Sequence, residues 1–271
     1  MIVSIFKKVF RRLKDPSYLY FYWLKLRYRR AKRMTAMTLN SPDGSFAVSD
    51  IQSFIYQYKE IFVDRIYDFE SKSANPVIVD CGSNIGLSVR FFKSLYKDST
   101  IYAIEPDLHI NTFLRQNIDI IPTNKNIHII PKAAWKTNSF LSFKSDGADG
   151  GTLVGANAEN KIECFDFSDW LLQFDKIDFM KVDIEGAEYD VLLHSKDHLN
   201  KVQNLFVEYH SFKNKPQVLS ELLDLLRTNG FRVYLDCLSQ RQSPFKTKPQ
   251  DGPMDLQLNI FASRIDPNRI S

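Results

Sequence analysis

From residue 77 onward, short apolar runs alternate with stretches whose apolar residues recur at helical spacing. The runs are rich in β-branched residues, as buried parallel strands are, and they occupy residues 77–79, 100–104, 126–130, 177–182 and 205–207. Helical spacing is clearest at residues 87–96 and 218–228. Strands that alternate with helices predict an α/β fold with a mostly parallel sheet.

The end of the chain predicts a different strand arrangement. Residues 231–235 and 257–262 are two apolar runs joined by a long polar stretch, so we expect an antiparallel hairpin at one edge of the sheet. Further strands are predicted at 139–143 and 161–165. Between them, residues 144–157 contain four of the ten glycines, which suits a lid over a binding site or a plain surface hairpin.

Residues before the first strong strand predict helices and a turn. Apolar residues recur at helical spacing in residues 2–14, Pro16 ends that pattern, and residues 18–33 form a second helical stretch. The sequence SPDG at residues 41–44 indicates a turn, and residues 51–69 suit one more helix. We therefore expect an N-terminal helical extension over residues 1–70 and a main domain over residues 71–271.

The charge of the chain is concentrated at its N-terminus. Residues 1–33 contain eleven Lys or Arg and one acid, Asp15. The rest of the chain carries a net charge of −6, because the whole carries +4. Clustered cations beside Tyr and Trp suit an anionic membrane interface. The alternatives are an arm that packs on the body or forms a homodimer and, less favoured, a nucleic-acid contact.

Cysteine content and hydropathy indicate the compartment. The three cysteines lack disulfide or zinc spacing, which favours a reducing environment. No apolar run reaches the ~20 residues that span a bilayer, and the first residues lack the layout of a signal peptide. We expect a cytoplasmic protein, and a location at the inner face of the membrane is one of the alternatives for its N-terminus.

A glycine turn follows the first strand run. Asp80 precedes the turn, Gly82 lets the chain turn tightly, and Gly86 lets the next helix approach closely. Glu105 lies nineteen residues after Gly86 at the end of the second run, where a carboxylate can accept hydrogen bonds from ribose hydroxyls. Asn84 stands where a dinucleotide fingerprint requires glycine, which counts against an NAD-dependent oxidoreductase.

Polar residues follow two later runs. Asp183 and Glu185 come after residues 177–182, and Glu208 and His210 come after residues 205–207. Chemistry in open α/β sheets lies beyond the carboxyl ends of the strands, so we expect these four side chains to converge.

His210 is the first candidate for the general base, since histidine titrates near neutral pH. The carboxylates around it can instead share a divalent metal, which is the less favoured interpretation. They can also bind the hydroxyls of a sugar or the amino group of a bound cofactor. The other four histidines are expected to be structural: His109, His128, His194 and His198.

Six segments between residues 77 and 210 resemble the FkbM family of methyltransferases. They lie within a span of about half of the chain, in the expected order: VIVDCGSNIG, IYAIEPD, KAAW, IECFDFSDWL, IDFMKVDIEGAEYDVL and LFVEYH. The DIEGAE element is the most specific of them. Residues 1–70 resemble nothing that suggests their role.

The resemblance implies a Rossmann-like class I methyltransferase fold with a seven-stranded sheet, and S-adenosylmethionine as the methyl donor. It implies a hydroxyl acceptor, often a sugar in a surface polysaccharide, a glycolipid or a natural product. The active-site edge it implies consists of Asp183, Glu185, Glu208 and His210. The cofactor residues it implies are Asp80, Gly82, Ser83, Asn84, Gly86, Glu105, Pro106 and Ala134.

Two functions of other classes compete with this one. An NAD-dependent oxidoreductase would use the same sheet, but the DIEGAE element and the incomplete dinucleotide fingerprint count against it. A non-catalytic protein that binds a membrane or a partner would be expected to carry a damaged cofactor turn, and this turn is intact.

Overall fold

The N-terminal part of the chain forms two helices and a hairpin. The computed structural model describes residues 14–145, 151–153, 161–238, 243, 245–246 and 254–264. The predicted helix over residues 2–14 therefore lies almost entirely outside the described residues, as does most of the glycine-rich stretch. The N-terminal elements are α1 (Pro16–Arg27), β1 (Met37–Ser41), β2 (Gly44–Val48) and α2 (Ile51–Tyr58), and α2 continues as a π-helix (Lys59–Val63).

The helices predicted over residues 18–33 and 51–69 both end earlier than expected. Helix α1 starts at Pro16, with Asp15 as its N-cap, and it ends at Arg27 rather than Arg33. The side-chain amide of Gln52 donates to the carbonyls of Tyr28 and Ala31, and this contact from α2 holds the chain after the helix end. Regular α-helix in the second segment stops at Tyr58 instead of continuing to residue 69.

A seven-stranded sheet forms the centre of the molecule. Its order is β12-β13-β11-β10-β3-β4-β5, and all neighbouring pairs are parallel except the two that involve β13. The predicted Rossmann-like, mostly parallel sheet with an antiparallel edge is confirmed. In chain order its strands are β3 (Val77–Cys81), β4 (Thr100–Ile104), β5 (Ile127–Ile130), β10 (Ile177–Val182), β11 (Val202–Phe212), β12 (Arg232–Cys237) and β13 (Met254–Ser263).

Between β5 and β10 the chain builds a second, four-stranded sheet. The short strands predicted near residues 140 and 163 belong to it, and its order is β6-β9-β7-β8. Its strands are β6 (Ala133–Trp135), β7 (Ser139–Ser145), β8 (Gly151–Leu153) and β9 (Lys161–Asp166).

Helices cover both faces of the seven-stranded sheet. Because successive residues of a strand point to opposite faces, Ile78 packs into one hydrophobic cluster and Val79 into the other. The first cluster includes side chains of α3 and α4, and the second includes side chains of α5, α6 and α7. These helices are α3 (Leu87–Leu95), α4 (Leu108–Asp119), α5 (Phe167–Leu171), α6 (Glu188–His194) and α7 (Leu219–Thr228).

The N-terminal elements pack on the first of these two faces. Phe21 and Leu24 of α1 are buried in the cluster that contains Ile78. The side chain of Asn117 on α4 bonds to both backbone groups of Ala47 on β2 and donates to the carbonyl of Ile85. Side chains on both sides of residue 70 therefore share one core, and a boundary at that residue stays a prediction. No helix in the described ranges is long and apolar enough to cross a membrane.

Candidate active site

The glycine turn after β3 depends on left-handed backbone angles. Gly82, Asn84 and Gly86 have φ values of +82°, +48° and +87°. The amides of Gly82 and Ser83 both donate to the carbonyl of Ile104, at 3.0 Å. A Cβ atom on Gly82 would lie 1.8 Å from the backbone oxygen of Asp183. Only glycine fits at residue 82, because both the angle and the space exclude a side chain.

Glu105 links the turn to the end of β4. One carboxylate oxygen accepts from the amide of Asn84 and the other from the amide of Asp107, each at 2.9 Å. Burial raises the pKa of Glu105 to about 7. Each oxygen keeps a second lone pair, so the carboxylate can still accept hydrogen bonds from a ribose beside the turn.

Asp80 lies fully buried beneath the turn. Its Oδ2 accepts from the hydroxyl of Ser88 at 2.6 Å. Its Oδ1 has no hydrogen-bond partner among the described residues and lies 3.6 Å from Nζ of Lys181. A buried carboxylate oxygen without a donor is a position where a ligand's ammonium group would be stabilised.

The remaining predicted cofactor residues surround this turn. Ser83 is buried and donates to the carbonyl of Asp80 at 2.8 Å. Pro106 is half-buried directly after Glu105. Ala134 is buried on β6 in the same hydrophobic cluster as Cys81, the last residue of β3. The tight turn, the unpartnered Oδ1 atom and the carboxylate at the end of β4 together fit an adenosyl cofactor with an amino-acid tail.

The four predicted active-site residues lie at the carboxyl edge of the sheet, but two of them are not at a strand end. Asp183 directly follows β10, and its amide donates to the carbonyl of Cys81 at 3.1 Å. Strand β11 was expected to stop near Val207. It continues to Phe212, because β13 supplies an antiparallel partner beyond the end of β10. Glu208 and His210 therefore lie inside β11.

His210 is held by a residue that the sequence interpretation missed. Its Nδ1 lies 2.9 Å from Oε1 of Glu188, and both side chains are buried. An ionised carboxylate only accepts hydrogen bonds, so Nδ1 carries the hydrogen. The same oxygen accepts from the amides of Ile184 and Gly186. Glu188 thus fixes both the DIEGAE turn and the orientation of the imidazole.

The other ring nitrogen of His210 faces two carboxylates. Nε2 lies 3.8 Å from Oε2 of Glu185 and 3.6 Å from Oε1 of Glu208. The side-chain amide of Gln257 on β13 also donates to Glu208. Burial alone would lower the pKa of His210, but the negative charges of Glu188, Glu208 and Glu185 outweigh it and raise that pKa well above its ordinary value.

The carboxylates of this cluster have shifted pKa values in both directions. Burial raises the pKa of Glu185 to about 8, and burial together with the charge of Glu208 raises the pKa of Asp183. Burial opposes ionisation of Glu208 too, but the hydrogen bond and positive charge of His210 lower its pKa overall. The surroundings thus raise the pKa of Asp183 and Glu185 and lower that of Glu208, which lies beside the imidazole.

Lys181 connects the active-site edge with the glycine turn. Its Nζ lies 3.0 Å from Oδ2 of Asp183 and donates to the carbonyl of Gly82 at 2.7 Å. A lysine inside the predominantly apolar strand β10, which has Asp178 as its one other charged residue, was the signal that could have revealed it. Glu60, on the π-helix, was also missed: burial and the charge of Glu208 raise its pKa to about 7. No local pattern in the sequence relates residue 60 to this edge.

Three residues have the geometry to bind a metal ion. Asp183, Glu185 and His210 each offer a donor atom, and these atoms lie within 4.8 Å of one another. The ammonium group of Lys181 lies beside Asp183 and offsets part of its negative charge. Less negative charge is therefore left for a metal ion to neutralise. The other four histidines lie outside this cluster: His109, His194 and His198 are on helices and His128 is within β5, and all of them except His198 are exposed.

Comparison with known proteins relates this chain to methyltransferases. Residues 80–233, more than half of the chain, match the profile of the Methyltransferase FkbM domain. Methyltransferase sdnD of Sordaria araneosa is 28% identical over 232 residues, which cover 70% of this chain and 86% of that protein. The 2-O-methyltransferase NoeI of Sinorhizobium fredii is 26% identical over 157 residues, which cover 50% and 63%.

Among solved structures, a methyltransferase FkbM from Methylobacillus flagellatus is 16% identical. The match covers 78% of this chain and 53% of that one, with a TM-score of 0.46.

Proposed function

The chain belongs to the FkbM family of S-adenosylmethionine-dependent methyltransferases, and we propose that it methylates a hydroxyl group of a sugar. The observation that carries this proposal is the buried pair of Glu188 and His210. It places Nε2 of His210 beside the carboxylates of Glu185 and Glu208 at the carboxyl edge of the sheet. A hydroxyl acceptor must lose its proton to become a good nucleophile, and an oriented imidazole is suited to remove it.

We assign the cofactor to the glycine turn. S-adenosylmethionine supplies, when bound, an activated methyl group on a positively charged sulfur. Glu105 would accept hydrogen bonds from the ribose hydroxyls, and Asp80 would compensate the ammonium group through its unpartnered Oδ1. The backbone of Gly82 and Asn84 would lie against the cofactor, because no side chain at residue 82 intervenes.

In this assignment His210 is the general base and Glu188 is its positioning residue. Proton transfer goes from the acceptor hydroxyl to Nε2, while Glu188 stabilises the imidazolium ion that results. The surrounding carboxylates raise the pKa of His210 well above its ordinary value and so favour the imidazolium form in the free protein. A cation bound beside it would lower that pKa, because two positive charges in one buried site repel each other. The neutral imidazole that can act as the base therefore forms most readily when the positively charged cofactor is bound.

The carboxylates also suit the acceptor class. Asp183, Glu185 and Glu208 offer several oxygens within one edge, and a sugar presents adjacent hydroxyls that can donate to them. Similarity to a protein named a 2-O-methyltransferase over half of the chain supports an oxygen as the acceptor atom. We propose a glycan of a surface polysaccharide or a glycolipid as the acceptor. The free cysteines Cys81, Cys164 and Cys237 support a reducing, cytoplasmic compartment.

The proposal is tested by incubating the purified chain with S-adenosylmethionine and a panel of free and lipid-linked sugars, phenols, amines and thiols. We expect S-adenosylhomocysteine to form with at least one sugar, and mass spectrometry to place the added methyl group on an oxygen. Transfer only to amines or thiols would overturn the hydroxyl acceptor, and transfer only to phenols would overturn the sugar. Thermal shift assays complete the test, because stabilisation by NAD alone would contradict the assignment of the turn.

A metal-assisted mechanism is the second candidate, and the cluster of Asp183, Glu185 and His210 favours it. A divalent ion there would lower the pKa of the acceptor hydroxyl directly. The two mechanisms differ in whether turnover requires a divalent ion, because only the metal-assisted mechanism depends on one.

A further inference from the structure

Helix α1 has two apolar faces, and only one of them is used by the fold. Phe21 and Leu24 point into the hydrophobic core. On the opposite side, the outer face of α1 consists of four large side chains that are 51%, 51%, 49% and 71% exposed: Leu19, Tyr22, Trp23 and Leu26. Their spacing of three, four and seven residues places them in one stripe. An apolar stripe of this length in water is unfavourable unless something covers it.

Positive charge surrounds the outer face. Lys25 and Arg27 lie on its two sides in the last turn of α1, and the chain continues with Arg29, Arg30, Lys32 and Arg33. All six side chains are exposed. Residues 16–42 contain these six cations and no acidic residue. Arg33 is paired with Asp50 at 3.0 Å, and the other five cations give the apolar stripe a predominantly positive border.

An open groove lies where the stripe meets the cations. It has a volume of about 640 Å³ and is lined by Trp23, Leu26, Arg27, Arg29 and Arg30, with Tyr28 and Ala31. The ring of Trp23 is stacked on Tyr20 and packs edge-on against Tyr28, so its position is fixed. Guanidinium groups bind phosphate through paired hydrogen bonds. The groove thus matches a group that is anionic at one end and apolar at the other.

We propose that α1 and residues 28–33 form a docking surface for an anionic lipid membrane. The outer face of α1 lies in the interfacial region, and Arg27, Arg29 and Arg30 bind lipid phosphates around it. This inference does not depend on the identity of the methyl acceptor, since it rests on a surface outside the sheet edge that carries the chemistry.

Charge and hydrophobicity exclude the competing occupants. A second copy presenting the same surface would bring six cations against six, and like charges at an interface disfavour association. Residues 1–13 carry four more cations, Lys7, Lys8, Arg11 and Arg12, which add to the positive charge that a second copy would meet. A nucleic acid would satisfy the arginines but would leave Leu19 and Leu26 without an apolar partner. A membrane interface alone supplies both anionic and apolar contacts.

The experiment is vesicle flotation of the full chain without any acceptor. Vesicles of equal parts phosphatidylglycerol and phosphatidylcholine should bind the protein, phosphatidylcholine vesicles should not, and raised salt should release it. A variant with Arg27→Glu, Arg29→Glu and Arg30→Glu should bind at least about a hundredfold more weakly, because each surface cation contributes roughly fivefold. A variant with Leu19→Ser, Trp23→Ser and Leu26→Ser should bind at least about tenfold more weakly.

The matched control changes an exposed leucine and an exposed cation elsewhere, Leu172→Ser with Lys196→Glu, and should bind like the wild type. Trp23 fluorescence should shift to shorter wavelength on anionic vesicles. Equal binding of the wild type to neutral vesicles, or unchanged binding by the α1 variants, would overturn the proposal. So would a dimer in light scattering that the Leu19, Trp23 and Leu26 substitutions dissociate, since the covered face would then belong to a second copy.

Discussion

Nδ1 of His210 lies 2.9 Å from Oε1 of Glu188, in a position where both side chains are buried. The charge of Glu188 is the largest of the influences that raise the pKa of His210. Replacing it by a neutral amide preserves the shape and an acceptor for Nδ1–H, but it removes the charge. The pair therefore allows the electrostatic and geometric contributions to be separated.

Glu188→Gln should move the ascending limb of kcat/KM against pH to lower pH. A base with a raised pKa becomes available only as pH rises through that pKa, so a lowered pKa brings activity at lower pH. We expect a shift of about one pH unit or more, since one unit corresponds to only ~1.4 kcal/mol. The control is Glu163→Gln, an exposed carboxylate paired with Lys132, which should leave the limb in place. An unmoved limb in Glu188→Gln would remove His210 as the titrating base.

His210→Ala should lower turnover by about 10²- to 10⁴-fold, the usual contribution of a general base. The affinity for S-adenosylhomocysteine should change little, because His210 is assigned to the acceptor side of the site. Single-turnover kinetics and calorimetry measure the two quantities separately. His109→Ala is the matched control, since His109 is exposed on α4. A large loss of cofactor affinity with normal turnover in saturating cofactor would contradict the assignment.

The sequence revealed those parts of the site that depend on local backbone requirements. Gly82 and Gly86 mark a turn with left-handed angles, and an acid at a strand end is found from spacing alone. Glu105 does contact the turn, through the amide of Asn84. Both features are encoded within a few residues of where they act.

Partners distant in the chain were not predictable in the same way. The apolar pattern of residues 205–207 stops at Glu208, so the strand was expected to stop there. It continues because β13, about fifty residues later, pairs with it. Buried polar residues interrupt the alternation from which strands are recognised. For the same reason, the contacts of Glu188 and Lys181 are evident only in the folded structure, where β10, β11 and α6 lie next to one another.

Glu105→Gln should weaken S-adenosylhomocysteine binding by about tenfold, since hydrogen bonds to a charged acceptor are worth ~1.5–3 kcal/mol. In the free protein the pKa of Glu105 is raised to about 7 by burial. Below that pH the carboxyl holds a proton that ribose binding must displace, so wild-type affinity should rise with pH through about 7 and then level off. The variant should lose this component of the pH dependence in calorimetry. Asp98→Asn, at an exposed position, is the control; a variant with wild-type affinity and pH dependence would contradict the role of Glu105.

Chelation should leave turnover unchanged. Lys181 places its ammonium group 3.0 Å from Asp183, and a divalent ion on the same carboxylate would meet that positive charge. Turnover is measured after dialysis against EDTA and again after addition of Mg²⁺ or Mn²⁺. Activity that disappears on dialysis and returns with either ion would establish the metal-assisted mechanism instead.

Gly82→Ala should destabilise the fold far more than Gly86→Ala. Both residues have left-handed φ angles, and this strain costs an alanine about 1–2 kcal/mol at either position. The added Cβ at residue 86 would approach Cδ1 of Leu114 to 2.8 Å, and that flexible side chain can rotate away. At residue 82 the clash is with the backbone oxygen of Asp183, at 1.8 Å. Relief there requires β3 and β10 to separate at the centre of the sheet.

We therefore expect Gly86→Ala to fold with a midpoint lowered by several degrees, at roughly 2–4 °C per kcal/mol. Gly82→Ala should lose more than ~4 kcal/mol or fail to accumulate as soluble protein. Thermal unfolding of both variants beside the wild type measures the difference, and S-adenosylhomocysteine should stabilise only those that keep the turn. Equal midpoints for the two variants would show that the chain relaxes at residue 82 without disturbing Asp183. The close contact between the cofactor turn and the active-site edge would then not be a requirement of the fold.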